Sequence, residues 1–143
     1  MYIYLLSPII AFTIAQGTKI IIKTNHQRIT WKDIFSYSDM PSGHTAVVVA
    51  LTSIIAFKLG LESPSFSIAL VFSSIVITDA IGLRNYLGKH GKTLNILVKD
   101  LGEDKFIDKS YPIQLEKIGH TPLQVIVGGL IGLIVSTVAY LLF

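Results

Sequence analysis

Apolar residues fall in four long runs separated by polar stretches, and that pattern predicts the elements. The first run covers Met1 to Ile22, broken only by Ser7, Thr13, Gln16, Thr18 and Lys19. The second runs from about Gly43 to Leu61, the third from about Phe66 to Leu83, and the last from Pro122 to Phe143. Each approaches or reaches the ~20 residues that a helix needs to cross the hydrocarbon core. The third run is rich in β-branched residues, which lower helix propensity in water. Within lipid, only a helix or a closed barrel satisfies the backbone, and the chain has too few alternating strands for a barrel. The expectation is an all-α fold: a single domain over residues 1–143, an integral membrane bundle of about four transmembrane helices. Met1 to Ile22 has no basic residue ahead of it and has Lys19 and Lys23 at its end. It therefore reads as a retained first span, not as a signal peptide.

Local signals place the helix starts. Ser42 precedes the second run, Pro64 stands in the Glu62-Ser63-Pro64-Ser65 connector, and Thr121-Pro122 opens the last run. Serine and threonine cap helix amino termini, and proline is favoured at the first helical position because its missing N–H costs nothing there. Between Arg84 and Gly119 the chain is mostly polar. Leu87, Leu94, Ile96 and Leu97 suit short amphipathic helices at the membrane surface, interrupted by Gly88, Gly91 and Gly102. Gly128 and Gly132 form a small-xxx-small face, expected to serve close packing within the bundle, with a homo-oligomer as the other use.

Composition agrees with the membrane reading. Hydrophobic residues make up 51% of the 143 positions, charged residues only 15%, and mean hydropathy is +0.62; soluble domains carry about 25% charged residues. Without cysteine there is no disulfide framework and no thiolate chemistry. A net charge of +3 is too modest to indicate a nucleic-acid partner. The distribution of that charge is more telling. Of twelve lysines and arginines, only Lys58 lies toward one side of a four-span arrangement. The positive-inside rule then puts both polar segments in the cytoplasm, in a multi-pass protein of the cell membrane.

The chemistry-bearing residues gather at that same side. Met40-Pro41-Ser42-Gly43-His44 leads into the second span, Asp79 and Arg84 end the third, and His120 stands just before the fourth. Two helix amino termini with a histidine each, in one compartment, offer unpaired amides and partial positive charge to a phosphate-like anion. Lys19 or Lys23, Arg84 and Lys92 are the cations that can complete such a site; arginine binds phosphate as a fork, lysine as a point charge. Two imidazoles with cationic support suit phosphoester hydrolysis with a covalent step, one attacking phosphorus and the other protonating the leaving alkoxide. Asp79, near the end of a span, calls for a partner among Arg84, Lys92 and the histidines. It reads equally as an orienting or metal-binding carboxylate and as half of a structural ion pair. Asn95 reads either as a hydrogen-bonding group of the site or as a surface-helix cap. Asp39, His26 and His90 read as solvated loop residues.

These residues resemble the type 2 phosphatidic acid phosphatase and vanadium haloperoxidase superfamily, and more closely its short divergent membrane branch. Met40-Pro41-Ser42-Gly43-His44 is similar to the superfamily's proline-serine-glycine-histidine motif. Asp79-Ala80-Ile81-Gly82-Leu83-Arg84 with Leu94-Asn95, and Gly119-His120-Thr121-Pro122-Leu123-Gln124-Val125, resemble the branch's later motifs, and Gln16 with Lys19 its first. The resemblance implies a phosphatase acting on a lipid phosphate: phosphatidate, phosphatidylglycerophosphate or a polyprenyl phosphate. It implies His120 as the nucleophile forming a phosphohistidine and His44 as the acid. Lys19 and Arg84 would bind phosphate, Ser42 and Gly43 would add hydrogen bonds, and no metal or other cofactor is needed. Two departures stand out. Gln124 occupies the position where the superfamily has an aspartate that holds the nucleophile's ring. Gln114 occupies the position of its arginine, for which Arg84 is the expected substitute. These departures leave a second reading, a silent member that binds anionic lipid or a partner protein. A small transporter subunit is a weaker alternative, and a haloperoxidase the weakest.

Overall fold

The computed structural model describes residues 2–24, 40–103 and 111–143. Among them are five helices and no strand: α1 (Ile3–Thr24), α2 (Gly43–Leu59), α3 (Pro64–Ile81), α4 (Leu83–Glu103) and α5 (Pro122–Leu142). The α1, α2, α3 and α5 helices are the four apolar runs. His26, Arg28, Lys32, Asp33 and Asp39, with Lys105 and Lys109, lie outside the described residues.

Each predicted helix start carries the cap that its sequence signals. Ser42 precedes α2 and accepts from the Thr45 N–H at 3.4 Å, and Ser63 precedes α3 and accepts from Phe66 N–H at 3.2 Å. The Thr121 hydroxyl accepts from Gln124 N–H, while Gln124 Oε1 accepts from Thr121 N–H at 2.8 Å, a reciprocal capping box that opens α5. By length and composition α1, the α3–α4 stretch and α5 can each cross a membrane. At 17 residues, α2 rises ~26 Å, the short end of the spanning range.

The helix α2 is the centre of the bundle and packs on α1, α3 and α5. Its small residues Ala46 and Ala50 form the core with Ala11, Ala15 and Val135. Gly128 and Gly132 of α5 face it directly. A side chain at Gly128 would run into the Ser42 carbonyl, and one at Gly132 into the Ala46 carbonyl and Ala50 N–H. The glycine pair is therefore an intramolecular seam, which lets two backbones approach where lipid offers no hydrophobic drive. Polar side chains add short interhelical bridges. Ser136 donates to the Ala50 carbonyl at 2.7 Å and pairs with Ser7 at 3.1 Å. Thr52 and Ser73 pair at 2.7 Å, joining α2 to α3. Large apolar side chains on α1, α3 and α5 point outward: Ile68 is 71% exposed and Leu141 76%. At the far end of α2, the Lys58 ammonium lies 5.0 Å from the centre of the Tyr140 ring.

The segment after the third span corrects the expectation of short, glycine-broken pieces. Leu83–Glu103 is one continuous helix that passes through Gly88, Gly91 and Gly102. Gly88 and Gly91 are contact sites: a Cβ on either would strike the backbone carbonyls of Glu116 and Leu115. The chain returning toward α5 runs along this glycine face, and Asn95 pins it. Its side-chain amide donates to the Gln114 carbonyl at 2.9 Å, and its oxygen accepts from the Gln114 N–H at 2.8 Å. Leu83, Leu87, Leu94, Leu97 and Leu101 stay exposed along another face of α4, the apolar stripe of an amphipathic helix.

Candidate functional site

Three backbone and side-chain contacts draw the ends of α2, α3 and α5 together. The Ser42 N–H donates to the Gln124 carbonyl at 3.0 Å, which ties the start of α2 to the first turn of α5. The His120 N–H donates to the Ala80 carbonyl at 3.0 Å, at the end of α3. Asn85, in the first turn of α4, donates to the His120 carbonyl at 3.1 Å and to the Ile81 carbonyl at 2.6 Å. His120 is thus gripped on both sides of its backbone before α5 begins.

The two histidines meet as a result. Their ring centroids are 6.0 Å apart with the planes at 77°, an edge-to-face contact. His120 is 1% exposed, whereas His44 is partly open. Lys19 is buried at 4% exposure, a costly position for an ammonium group unless anionic or polar groups receive it. The charges of Arg84, Lys19 and Asp79 all reach the His44 ring. Arg84 uses its Nε edge on Asp79 Oδ2 at 2.7 Å, so Asp79 finds the first of the partners expected for it. This ion pair is about one-third exposed, a setting in which such pairs add little stability. The pair sets the direction of the guanidinium. Among the described residues no group of three or more histidines and carboxylates is placed to hold a metal ion.

Of the residues singled out from the sequence, His44, His120, Lys19, Asp79 and Arg84 form one electrostatic neighbourhood. Ser42 and Gly43 are buried at the start of α2. Gln124 sits in the first turn of α5, where its Oε1 caps the helix. Lys92 is exposed on α4. Asn95 serves the returning segment and also donates to Glu116 at 2.9 Å. Asn85 belongs to the site too, although the sequence does not single it out. Its one signal is a second polar residue beside Arg84 directly after a span, which hydropathy alone does not separate from a loop residue. A groove of about 570 Å³ lined by Tyr2, Leu6, Ile10, Lys58 and Phe143 lies between the opposite ends of α1 and α5, away from the histidines.

A family model described as "Divergent PAP2 family" matches residues 2–135. The chain is 33% identical over 146 residues to the uncharacterized membrane protein YuiD of Bacillus subtilis (strain 168), across 94% of this chain and 91% of the relative. No solved structure matches it.

Proposed function

From the premise that the chain belongs to the divergent PAP2 family, we propose that it is a membrane phosphatase that hydrolyses a lipid phosphomonoester through a phosphohistidine. The observation that carries this reading is the His44–His120 contact, with the positive charges of Arg84 and Lys19 felt at His44. At 6.0 Å between centroids, one phosphoester can touch both rings. In the first step a His120 nitrogen attacks phosphorus. The P–O ester bond breaks, its electron pair leaves with the alkoxide, and His44 supplies the proton. In the second step water attacks the phosphohistidine and gives a proton to His44. The P–N bond breaks, its electrons return to the imidazole, and inorganic phosphate leaves. Lys19 and Arg84 balance the charge that spreads over the equatorial oxygens. Substrates of the fitting class are phosphatidate, phosphatidylglycerophosphate and polyprenyl phosphates, presented from the leaflet on the lysine- and arginine-rich side, which the positive-inside rule expects to be cytoplasmic.

The test is capture of acid-labile phosphate on protein purified in detergent and mixed with ³²P-labelled phosphatidate. Label that appears in the wild type and is lost in His120→Ala, with inhibition by vanadate, supports the reading. Unchanged turnover in both His44→Ala and His120→Ala removes it.

One observation favours a second reading, a silent member that binds anionic lipid. Gln124 is neutral and its Oε1 is engaged in the α5 capping box, so it offers the imidazolium less support than a carboxylate would. Saturable vanadate binding without turnover of any lipid phosphate would select this reading.

A further inference from the structure

Helix α4 stands apart from the bundle. Among the described residues it meets no helix besides α3. Its sequence carries six charged residues in 21 positions, too many for a helix that crosses the hydrocarbon core. Yet five leucines lie along one of its faces. Leu83, Leu87, Leu94, Leu97 and Leu101 recur at helical spacing, with Leu83 and Leu101 in line about five turns apart, a strip of ~27 Å. All five are exposed, from 42% at Leu94 to 64% at Leu83. The neighbouring glycine face is taken by the returning segment, whose Glu116 and Leu115 carbonyls sit against Gly88 and Gly91. The leucine face has no such cover among the described residues. An uncovered apolar strip of this length marks an interaction surface.

What surrounds the strip selects its partner. The α3 helix ends at Ile81 and α4 begins at Leu83, so the strip starts where an apolar run of membrane-spanning character ends. Tyr86 borders the strip with its ring exposed, and the Lys89 ammonium lies 5.4 Å from the centre of that ring. A tyrosine with a polar tip and a lysine with an apolar stem suit the level of lipid headgroups. Lys92 and Lys99 are exposed and fall on the side of the helix away from the leucines, where Asp100 is the exposed acidic neighbour. Leucines on one face and lysines around the other are the pattern of a helix that lies in a membrane surface. We propose that α4 rests in the plane of the lysine-rich leaflet, with its leucine strip among the acyl chains and Lys89 at the headgroups of anionic lipids. This holds whether or not the chain hydrolyses phosphate. The helix also carries the segment that returns to α5, and its Asn85 amide donates to the His120 carbonyl. The lipid surface thereby seats the chain that leads to His120.

The chain has no cysteine, so a single introduced cysteine can carry a nitroxide label in the full-length protein. Leu87→Cys and Leu94→Cys report on the strip, and Lys92→Cys on the opposite side. The probe membrane is a phosphatidylcholine vesicle containing phosphatidylglycerol. In it, dissolved oxygen is expected to relax the label in both leucine variants several-fold more than a water-soluble nickel chelate does, with the order reversed in Lys92→Cys. Vesicles of phosphatidylcholine alone, or Lys89→Gln added in the anionic vesicles, are expected to raise nickel access in the leucine variants by up to about fivefold, the weight of one lysine at an anionic surface. Leucine variants as open to nickel as Lys92→Cys overturn the proposal. So does shielding from both reagents, which would mean that protein covers the strip. Nickel access that is the same in both vesicle types and with Lys89→Gln overturns the assignment to anionic lipid.

Discussion

The two histidine turns carry the same residue type at the start of a helix but are built differently. His44 lies inside the first turn of α2, so its position follows from one cap, Ser42, and from the helix itself. His120 stands two residues before α5 in extended chain. Its position is set by groups from elsewhere: the Ala80 carbonyl of α3 and the Asn85 amide of α4. One histidine is partly open and rests on local structure; the other is buried and rests on tertiary structure. A nucleophile needs a fixed line of attack. A proton donor needs access to the leaving group and to water. The difference in support matches the difference in proposed role.

The largest expected effect breaks the pair by chemistry. His120→Ala is expected to lower turnover by roughly 10³-fold or more and to abolish the labelled intermediate with every substrate. His44→Ala is expected to cost roughly 10²–10³-fold with phosphatidate. It should cost far less with an aryl phosphate, whose leaving group needs no proton. Equal losses with both substrates would mean that the two rings do not divide the work in this way. Next in size is the cationic support. Arg84→Ala is expected to raise KM roughly tenfold, about the value of one charge-assisted hydrogen bond. Asp79→Asn, which leaves the arginine in place but frees its Nε edge, should shift KM less. Initial-rate kinetics on mixed micelles measure both.

Asn85→Ala addresses the tertiary grip alone. Losing its bond to the His120 carbonyl is expected to destabilise the fold by about 1–2 kcal/mol and to lower kcat more than it raises KM. Asn95→Ala is the matched control. It releases the returning segment at Gln114, several turns along α4, and should cost comparable stability with a smaller loss of kcat. If both variants lower kcat alike, the whole 111–119 segment positions His120 as one unit. The smallest effects belong to the caps: Ser42→Ala and Thr121→Ala are each expected to cost about 1 kcal/mol in thermal unfolding. Of the two, Ser42→Ala should disturb the site more, because His44 depends on that cap.

Much of this was legible in the sequence because it is local. Lipid forces apolar runs into helices, and Ser42, Ser63-Pro64 and Thr121-Pro122 mark helix starts by satisfying the first unpaired amides. The continuity of α4 was not legible. Gly88 and Gly91 read as breakers until a second chain segment is seen against them, and packing then reverses their meaning. Asn85 was opaque, since an asparagine after a span looks the same whether it faces solvent or another backbone; Asn95 reads as a hydrogen-bonding residue, but its partner, the Gln114 backbone, shows only in the fold.

By itself the sequence determined the spans, their starts, the family likeness and the crowding of histidines and basic residues toward one end. The spans and their starts follow from a few neighbouring residues; the likeness rests on motifs in order along nearly the whole chain, and the crowding on the alternation of four spans. Only the tertiary structure decided that His44 and His120 touch and that Asp79 takes Arg84 as its partner. It also decided that Ser42 N–H takes the Gln124 carbonyl and that Gln16 lies against Gly43 with its oxygen unclaimed by any described donor. The physical reason is distance along the chain. Caps and hydropathy act over one turn, but those contacts depend on how close two helix backbones can approach, which Gly43, Gly128 and Gly132 set through the side chains they lack.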